Sequence, residues 1–180
     1  MRLPAPLCYL LAPRIVPFVI RVAFLVVTLT LATQTAVFER WIESPLIDLD
    51  AGLTCATLRA FGTPAERNGP VVGTSEFRVE VVEGCTGIFV FVLLLAATLA
   101  FPARWRTRLG GVGAGAAIIF VLNWARIVTL YYLGRWRPDL FADFHLYVWQ
   151  GATIVTVTLY WYVWALRFGN VQSSPRAAAT

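Results

Sequence analysis

The chain has 180 residues, of which 58% are hydrophobic and 14% are charged, and its formal net charge is +5 at pH 7. A soluble domain carries about a quarter charged residues, so this composition indicates a membrane protein and argues against a water-soluble globule. All 15 basic residues are arginines that bracket hydrophobic segments, a distribution that argues against a nucleic-acid-binding protein.

The hydrophobic segments predict an all-α membrane protein with four transmembrane helices. The predicted spans are 15–37, 85–102, 110–133 and 145–166. A span needs about 20 apolar residues. The run from Gly87 to Phe101 is shorter than that, so Cys85 is expected to lie in the boundary layer of the bilayer. The first segment is longer than the core of a signal peptide and is interpreted as a retained helix.

The remaining segments are assigned to two sides of the membrane by the positive-inside rule. Segments 1–14, 103–109 and 167–180 form the predicted cytoplasmic side, and segments 38–84 and 134–144 form the extracytoplasmic side. The cytoplasmic side has no acidic residue and holds Arg2, Arg14, Arg104, Arg106, Arg108, Arg167 and Arg176. All 10 acidic residues lie on the other side, so both termini are expected in the cytoplasm.

The extracytoplasmic segment before the second span is predicted to be mixed. An amphipathic helix from Pro45 to Phe61 is expected to lie on the outer surface, with Asp48 and Asp50 facing away from its apolar side. That apolar side is formed by leucines at near-helical intervals: Leu46, Leu49, Leu53 and Leu58.

Further along, residues 76–82 alternate apolar and charged side chains, which is typical of a strand. A short hairpin with Val71 and Val72 is therefore expected. It would cap the nearby thiol of Cys85 or offer an edge to an extended peptide.

The cysteines Cys8, Cys55 and Cys85 are too few and too widely spaced for a zinc site or a disulfide scaffold, and no metal or cofactor is expected. Cys85 stands at the outer mouth of the second span. It is flanked by Gly84 and Gly87, which are predicted to let another backbone approach the thiol closely.

The predicted topology brings Cys85, Arg126 and His145 to one outer depth. Cys85 opens the second span from outside, His145 opens the fourth, and Arg126 lies about 10 Å below the outer end of the third. These groups suit acyl transfer, with a thiolate favoured by a helix N-terminus and an imidazolium, and a guanidinium that stabilises the oxyanion. Asn123, one turn before Arg126, is expected to orient the guanidinium or to donate to the same oxygen.

Each of these residues also has a structural interpretation. A disulfide between Cys85 and Cys55 is compatible with an oxidising compartment. Arg126 and Asn123 are also typical of polar groups that fasten helices together, and His145 alone is typical of an interfacial residue. The alternative function is therefore a non-enzymatic membrane assembly or structural subunit with a Cys55–Cys85 disulfide.

At these residues the sequence resembles the exosortase/archaeosortase family, and within it the short H-type bacterial exosortases. The resemblance covers about residues 80–164. It is carried by Cys85-Thr86-Gly87 at the mouth of one span, Asn123-Trp124-Ala125-Arg126-Ile127 inside the next and His145 opening the last. Two features depart from the family pattern: Thr86 stands where many members have serine, and fewer spans are predicted than many members have.

The resemblance implies site residues, an activity and a location. Cys85 would be the nucleophile, Arg126 and His145 would complete the catalytic site, and Asn123, Thr86 and Gly87 would support it. The protein would be a cysteine transpeptidase or protease of the bacterial inner membrane, with its active site facing the exterior. Its partners would be exported proteins whose C-terminal sorting signal has a short motif, a hydrophobic helix and a basic tail. An acyl-enzyme would pass to an amine acceptor or to water. Membrane lipid is also expected to contact the protein, and nucleic acid is not.

Overall fold

A computed structural model describes the backbone of residues 5–168 and the side chains from residue 15 onward. The predicted tail, from residue 169, and the side chain of Cys8 lie outside the described residues. The described chain is mostly helical. Its α-helices are α1 (Ala5–Thr33), α2 (Ala36–Phe38), α3 (Ser44–Ala60), α4 (Ile88–Ala100), α5 (Trp105–Trp136), α6 (Pro138–Asp143) and α7 (Trp149–Phe168). One π-helical turn, Glu39–Glu43, precedes α3, and another, Phe144–Val148, precedes α7.

Two of the described helices are long and apolar enough to cross a membrane: Ile15–Thr33 within α1, and α5. Helix α4 is apolar but has only 13 residues. Helix α1 packs along α4, and both α4 and α7 pack against α5. The close packing uses two glycines of α5: Gly111 contacts Trp164, and Gly115 contacts Leu94 and Tyr160. Helices α1, α4, α5 and α7 therefore form one packed group.

Helix α5 is longer than its predicted span at both ends. Its 32 residues correspond to about 48 Å, which exceeds the roughly 30 Å of a bilayer core. Its C-terminal third is covered by α3 and the sheet. Asn123 contacts Asp50, and Tyr132 contacts Thr63, so α3 and α5 run in the same direction. The C-terminal end of α5 is thus packed against α3 and the sheet.

Helix α3 is the predicted amphipathic helix, but its buried face is not the predicted apolar side, of which Leu58 alone is fully buried. Asp50 is fully buried, whereas Leu49 is 51% exposed. The buried face consists mainly of small side chains, which let α3 lie close to α5: Asp50, Ala51, Thr54, Cys55 and Leu58. Because Asn123 donates a hydrogen bond to Asp50, the carboxylate can be buried without losing its bonding partner.

The expected hairpin is present and has a third strand. Strands β1 (Glu66–Asn68), β2 (Val71–Gly73) and β3 (Arg78–Glu80) form an antiparallel sheet in that order. Val72 pairs with Arg67 on one side and with Val79 on the other. The sheet packs on α3 through β1 and β2, while Phe77 contacts α5 at Gly134.

An apolar core joins these outer elements to α5. Its buried members are Ala51, Cys55, Leu58, Ala65, Val72, Val81, Ile127 and Tyr131, and Cys85 packs at its edge. A second core lies between the helices, with Val90, Leu94, Ile119 and Val157 as its buried members. The thiol therefore lies beside the outer core, and a short turn links it to the helical group.

Candidate active site

Cys85 lies in a short 3-10 turn, Glu83–Cys85, just before α4. The amide of Cys85 donates to the carbonyl of Val82 at 2.7 Å. The hydroxyl of Thr86 donates to the carbonyl of Glu83 at 2.8 Å, and Thr86 is 5% exposed. The predicted second span began at Cys85, but α4 begins at Ile88. The thiol is consequently held by the turn and lies outside the first helical turn.

Gly87 joins this turn to α4 and brings it against α5. Its φ of 72° is in the left-handed region, which glycine adopts without the cost that a side chain adds. A Cβ at this position would lie 2.8 Å from Cγ2 of Ile119 and 4.0 Å from Cβ of Asn123. A Cβ at Gly84, in contrast, would meet no heavy atom within 4 Å among the described residues. Gly87 is therefore approached by side chains of α5, and the close backbone approach predicted at the two glycines is not seen among the described residues.

Arg126 and His145 contact each other directly. Nη2 of Arg126 lies 3.2 Å from Nε2 and 3.4 Å from Nδ1 of His145, and 3.5 Å from its carbonyl oxygen. His145 lies in the π-helical turn before α7 and stacks on Phe141 with a centroid separation of 5.9 Å. Because a guanidinium has only donors, the imidazole nitrogen that bonds to it must be unprotonated.

Cys85 and His145 line the same cavity, which has a volume of about 490 Å³. One wall is the end of the hairpin, from Phe77 to Val82. The opposite wall comes from α5 and α6, with Ile127, Leu130, Gly134, Pro138 and Phe141. Arg126 is 8% exposed and reaches this site through its contact with His145. The structure thus brings the thiol and the imidazole to one cavity and places the guanidinium behind the imidazole.

Asn123 is bonded to a residue that the sequence analysis did not select. Its Nδ2 donates to Oδ2 of Asp50 at 3.0 Å, and both side chains are buried. The available signal was the position of Asp50 in a helix with small residues at 51, 54 and 55, a pattern that allows close packing. The Asp50–Asn123 pair ties α3 to α5 one turn before Arg126.

Burial changes the acidity of Asp50. Loss of water raises the pKa of its carboxyl from 3.8 to about 6, and the hydrogen bond from Asn123 opposes this rise. Its Oδ1 is buried and has no partner among the described side chains. Nε of Arg126 is likewise buried without a partner within the described part of the chain. The site therefore has one acceptor atom, Oδ1 of Asp50, and one donor atom, Nε of Arg126, that form no hydrogen bond within the described part of the chain.

Cys55 and Cys85 both have free thiols, so the disulfide of the alternative interpretation is absent from this structure. Sγ of Cys55 is buried and lies 3.6 Å from the carbonyl oxygen of Ala65. Within residues 15–168, no cluster of three or more His, Cys, Asp or Glu side chains is arranged to hold a metal ion.

These features define a mostly helical membrane protein in which a thiol and an imidazole border one cavity and a guanidinium contacts the imidazole. The family model "Transmembrane exosortase (Exosortase_EpsH)" matches residues 3–166 of the chain. The chain therefore belongs to the transmembrane exosortase family, which confirms the resemblance seen in the sequence. Comparisons with curated proteins and with solved structures gave no match.

Proposed function

We propose that this exosortase family member is a cysteine transpeptidase or protease that cleaves the C-terminal sorting signal of exported proteins. The observation that carries the proposal is the shared cavity of Cys85 and His145, with Arg126 bonded to His145. Nucleophilic catalysis by cysteine requires a base that accepts the thiol proton, and the unprotonated imidazole that borders the same cavity is the candidate base.

In the proposed reaction, Sγ of Cys85 transfers its proton to His145 and attacks the carbonyl carbon of the scissile peptide bond. The carbonyl oxygen becomes an oxyanion. When it collapses, the C–N bond breaks and the leaving amine takes the proton from His145. The resulting thioester is then attacked by an amine acceptor or by water, which releases Cys85 as a thiol.

In this scheme Arg126 keeps its expected role at the oxyanion, but His145 starts as a neutral base and not as the imidazolium of a thiolate–imidazolium pair. An imidazolium at 3.2 Å from a guanidinium would place two cations in contact. Proton transfer to His145 is therefore coupled to movement of the guanidinium onto the developing oxyanion. The unpartnered Nε of Arg126 supports this role, because it is a donor available to such an oxygen.

We further propose four spans, with both termini in the cytoplasm of a bacterial cell and the cavity facing the exterior of the inner membrane. Helices α4 and α7 would be the second and fourth spans. The exposed apolar side chains of α7, which would contact lipid, support this: Ile154, Val155, Leu159, Val163 and Leu166. The turn around Cys85 would extend α4 to the outer boundary. The positive-inside distribution of arginine supports the orientation.

The substrate in this proposal has a short motif followed by a hydrophobic helix and a basic tail. The hydrophobic helix would lie beside the spans, and the motif would enter the cavity at Cys85. The basic tail would remain near the cytoplasmic surface.

The proposal is tested by co-expressing the chain with exported reporter proteins that carry candidate signals of this kind, and by measuring removal of the C-terminal tail by mass spectrometry. Cys85→Ala is expected to abolish processing, because no other group in the cavity replaces the nucleophile. His145→Ala and Arg126→Ala are expected to reduce it by about two to three orders of magnitude.

The matched control is Cys55→Ala, which removes the other thiol of the same apolar core and should leave processing in place. Processing by a Cys85→Ala variant that accumulates in the membrane at the wild-type level would contradict the proposal. It would favour the non-enzymatic assembly subunit instead.

A further inference from the structure

Within residues 5–168, β3 pairs with β2 alone, and β3 borders the cavity that Cys85 also lines. Strand β3 pairs with β2 on one side, and its register places Val79 opposite Val72. On the β2 side, the amide of Val81 donates to the carbonyl of Pro70, and the amide of Thr74 donates to the carbonyl of Phe77. Residues 77, 79 and 81 therefore direct their main-chain groups toward β2. Because this direction alternates along an antiparallel strand, the N–H and C=O groups of Arg78 and Glu80 point to the open edge.

This open edge is a wall of the cavity that Cys85 also lines. Arg78, Val79, Glu80 and Val81 all border the cavity, and the chain continues from them to the thiol within a few residues. The facing wall on α5 is apolar, with Ile127 and Leu130. The cavity therefore combines a row of main-chain donors and acceptors with an apolar surface, which is the combination that an extended peptide uses.

The side chains of this edge make pairing with most other strands unfavourable, so the edge is suited to one specific strand. Arg78 and Glu80 are exposed, and opposite charges on a short edge strand discourage pairing with unrelated strands. The neighbouring thiol gives the edge a specific occupant, because the bond to be cleaved must be brought to Sγ in an extended conformation.

We propose that the segment of the sorting signal immediately before the scissile bond adds to the sheet as a fourth strand, hydrogen-bonded to the main chain of Arg78 and Glu80. This inference rests on the proposed function. The new strand runs parallel to β3, because β3 leads toward Cys85 and α4, and the substrate must likewise run from the exterior to its own membrane helix.

The first test removes one hydrogen-bond donor from the edge. Glu80→Pro deletes an outward N–H and leaves the β2–β3 ladder, which uses residues 79 and 81. Proline is tolerated on edge strands for this reason. The measurement is the processing rate of a reporter that the wild type cleaves. We expect this rate to be at least tenfold lower in Glu80→Pro than in Glu80→Ala, which keeps the N–H.

A matched proline on the opposite edge controls for general damage to the sheet. Arg67 of β1 pairs with Val72, and the same alternation directs its N–H away from β2 and away from the cavity. Arg67→Pro should therefore process the reporter at a rate close to that of Arg67→Ala. Equal losses in the Glu80→Pro and Arg67→Pro comparisons would overturn the inference.

The second test does not depend on the folding of the proline variants. All three native cysteines are replaced by alanine, and either Arg78→Cys or Glu80→Cys is introduced. Each variant is co-expressed with reporters that carry one cysteine at successive positions of the signal, and the disulfide cross-links between the two chains are mapped. Cross-links at alternate signal positions are expected, with Arg78→Cys reaching residues nearer the N-terminus than Glu80→Cys does. The reverse order, a helical spacing, or cross-links mainly between two copies of the chain would each overturn the inference.

The two proposals fail in different ways. Reporter processing that persists in Cys85→Ala contradicts the proposed function. Processing that is lost in Cys85→Ala but survives in Glu80→Pro at the Glu80→Ala rate contradicts the strand pairing alone.

Discussion

At the scale of single residues, the site is built from polar groups that bond to each other, with Asp50, Asn123 and Arg126 buried and His145 half-buried. Arg126 and His145 contact each other, and one turn away Asn123 contacts Asp50. Either pair would be costly to bury with one partner missing, because the remaining group would lose its bonds to water without replacing them. The polar residues on α5 are consequently positioned by partners on two different elements, α3 and the turn before α7.

Asp50 gives this burial a measurable pH dependence. Its pKa is raised from 3.8 to about 6 in the folded protein, so the folded state binds this proton more tightly than the unfolded state does. The contribution of Asp50 to stability is therefore most favourable below about pH 4, falls as pH rises to about 6 and is constant above that. The pKa difference corresponds to at most about 3 kcal/mol.

Asp50→Asn should remove this part of the pH dependence and raise the unfolding temperature above pH 6, because an amide oxygen can accept the bond from Asn123 without a buried charge. Asp50→Ala should lower the unfolding temperature, because the side-chain amide of Asn123 loses its acceptor. Thermal unfolding in detergent micelles at acidic and neutral pH measures both. A lower unfolding temperature for Asp50→Asn than for the wild type at neutral pH would show that the carboxylate is needed in its charged form.

At the scale of elements, the turn between β3 and α4 sets the position of the thiol. The turn is held by its own hydrogen bonds and by the contact of Gly87 with α5. The two glycines beside Cys85 differ in that only Gly87 combines a left-handed backbone with a close neighbour.

Gly87→Ala is expected to destabilise the fold by about 1–3 kcal/mol, because the left-handed conformation disfavours a Cβ and because that Cβ would lie 2.8 Å from Ile119. It should also reduce reporter processing by moving the turn that carries Cys85. Gly84→Ala is the control, since a Cβ there meets open space. Equal effects of the two substitutions on the unfolding temperature would contradict this account of the turn.

The sequence predicted the helix α3, the β2–β3 hairpin and the placement of Cys85 and His145 together, because these follow from local periodicity and from the order of hydrophobic segments. It did not predict the burial of Asp50, since periodicity assigns a carboxylate to the exposed face unless the partner on another helix is known. The topology predicted Arg126 and His145 at one site, but it did not predict the direct bond between them or the added strand β1. Both depend on how distant segments pack, and no local pattern encodes that.

At the scale of the whole molecule, α5 connects the packed helices α1, α4 and α7 to α3 and the sheet. Its first half contacts α4 and α7, and its second half contacts α3 and the hairpin. The candidate site lies where these two regions meet. The proposed reaction requires a reactive group at this level, since the motif of the proposed substrate would lie next to its own membrane helix.

The proposed topology is tested by cysteine labelling in a chain whose native cysteines are replaced by alanine. Glu66→Cys, on the exposed strand β1, is expected to react with a membrane-impermeant maleimide in intact cells. Arg106→Cys, at the exposed start of α5, is expected to react only after the membrane is permeabilised. Labelling of both positions in intact cells would contradict the orientation.

The continuity of α5 limits how the length of this protein can change during evolution. One residue inserted between Gly115 and Asn123 would rotate everything beyond it by about 100°. Such an insertion would turn Arg126 away from His145 and Asn123 away from Asp50, although the helix would still cross the bilayer. Insertions and deletions among homologues should therefore collect in the loops and at the ends of α5, and its middle should keep a constant number of residues.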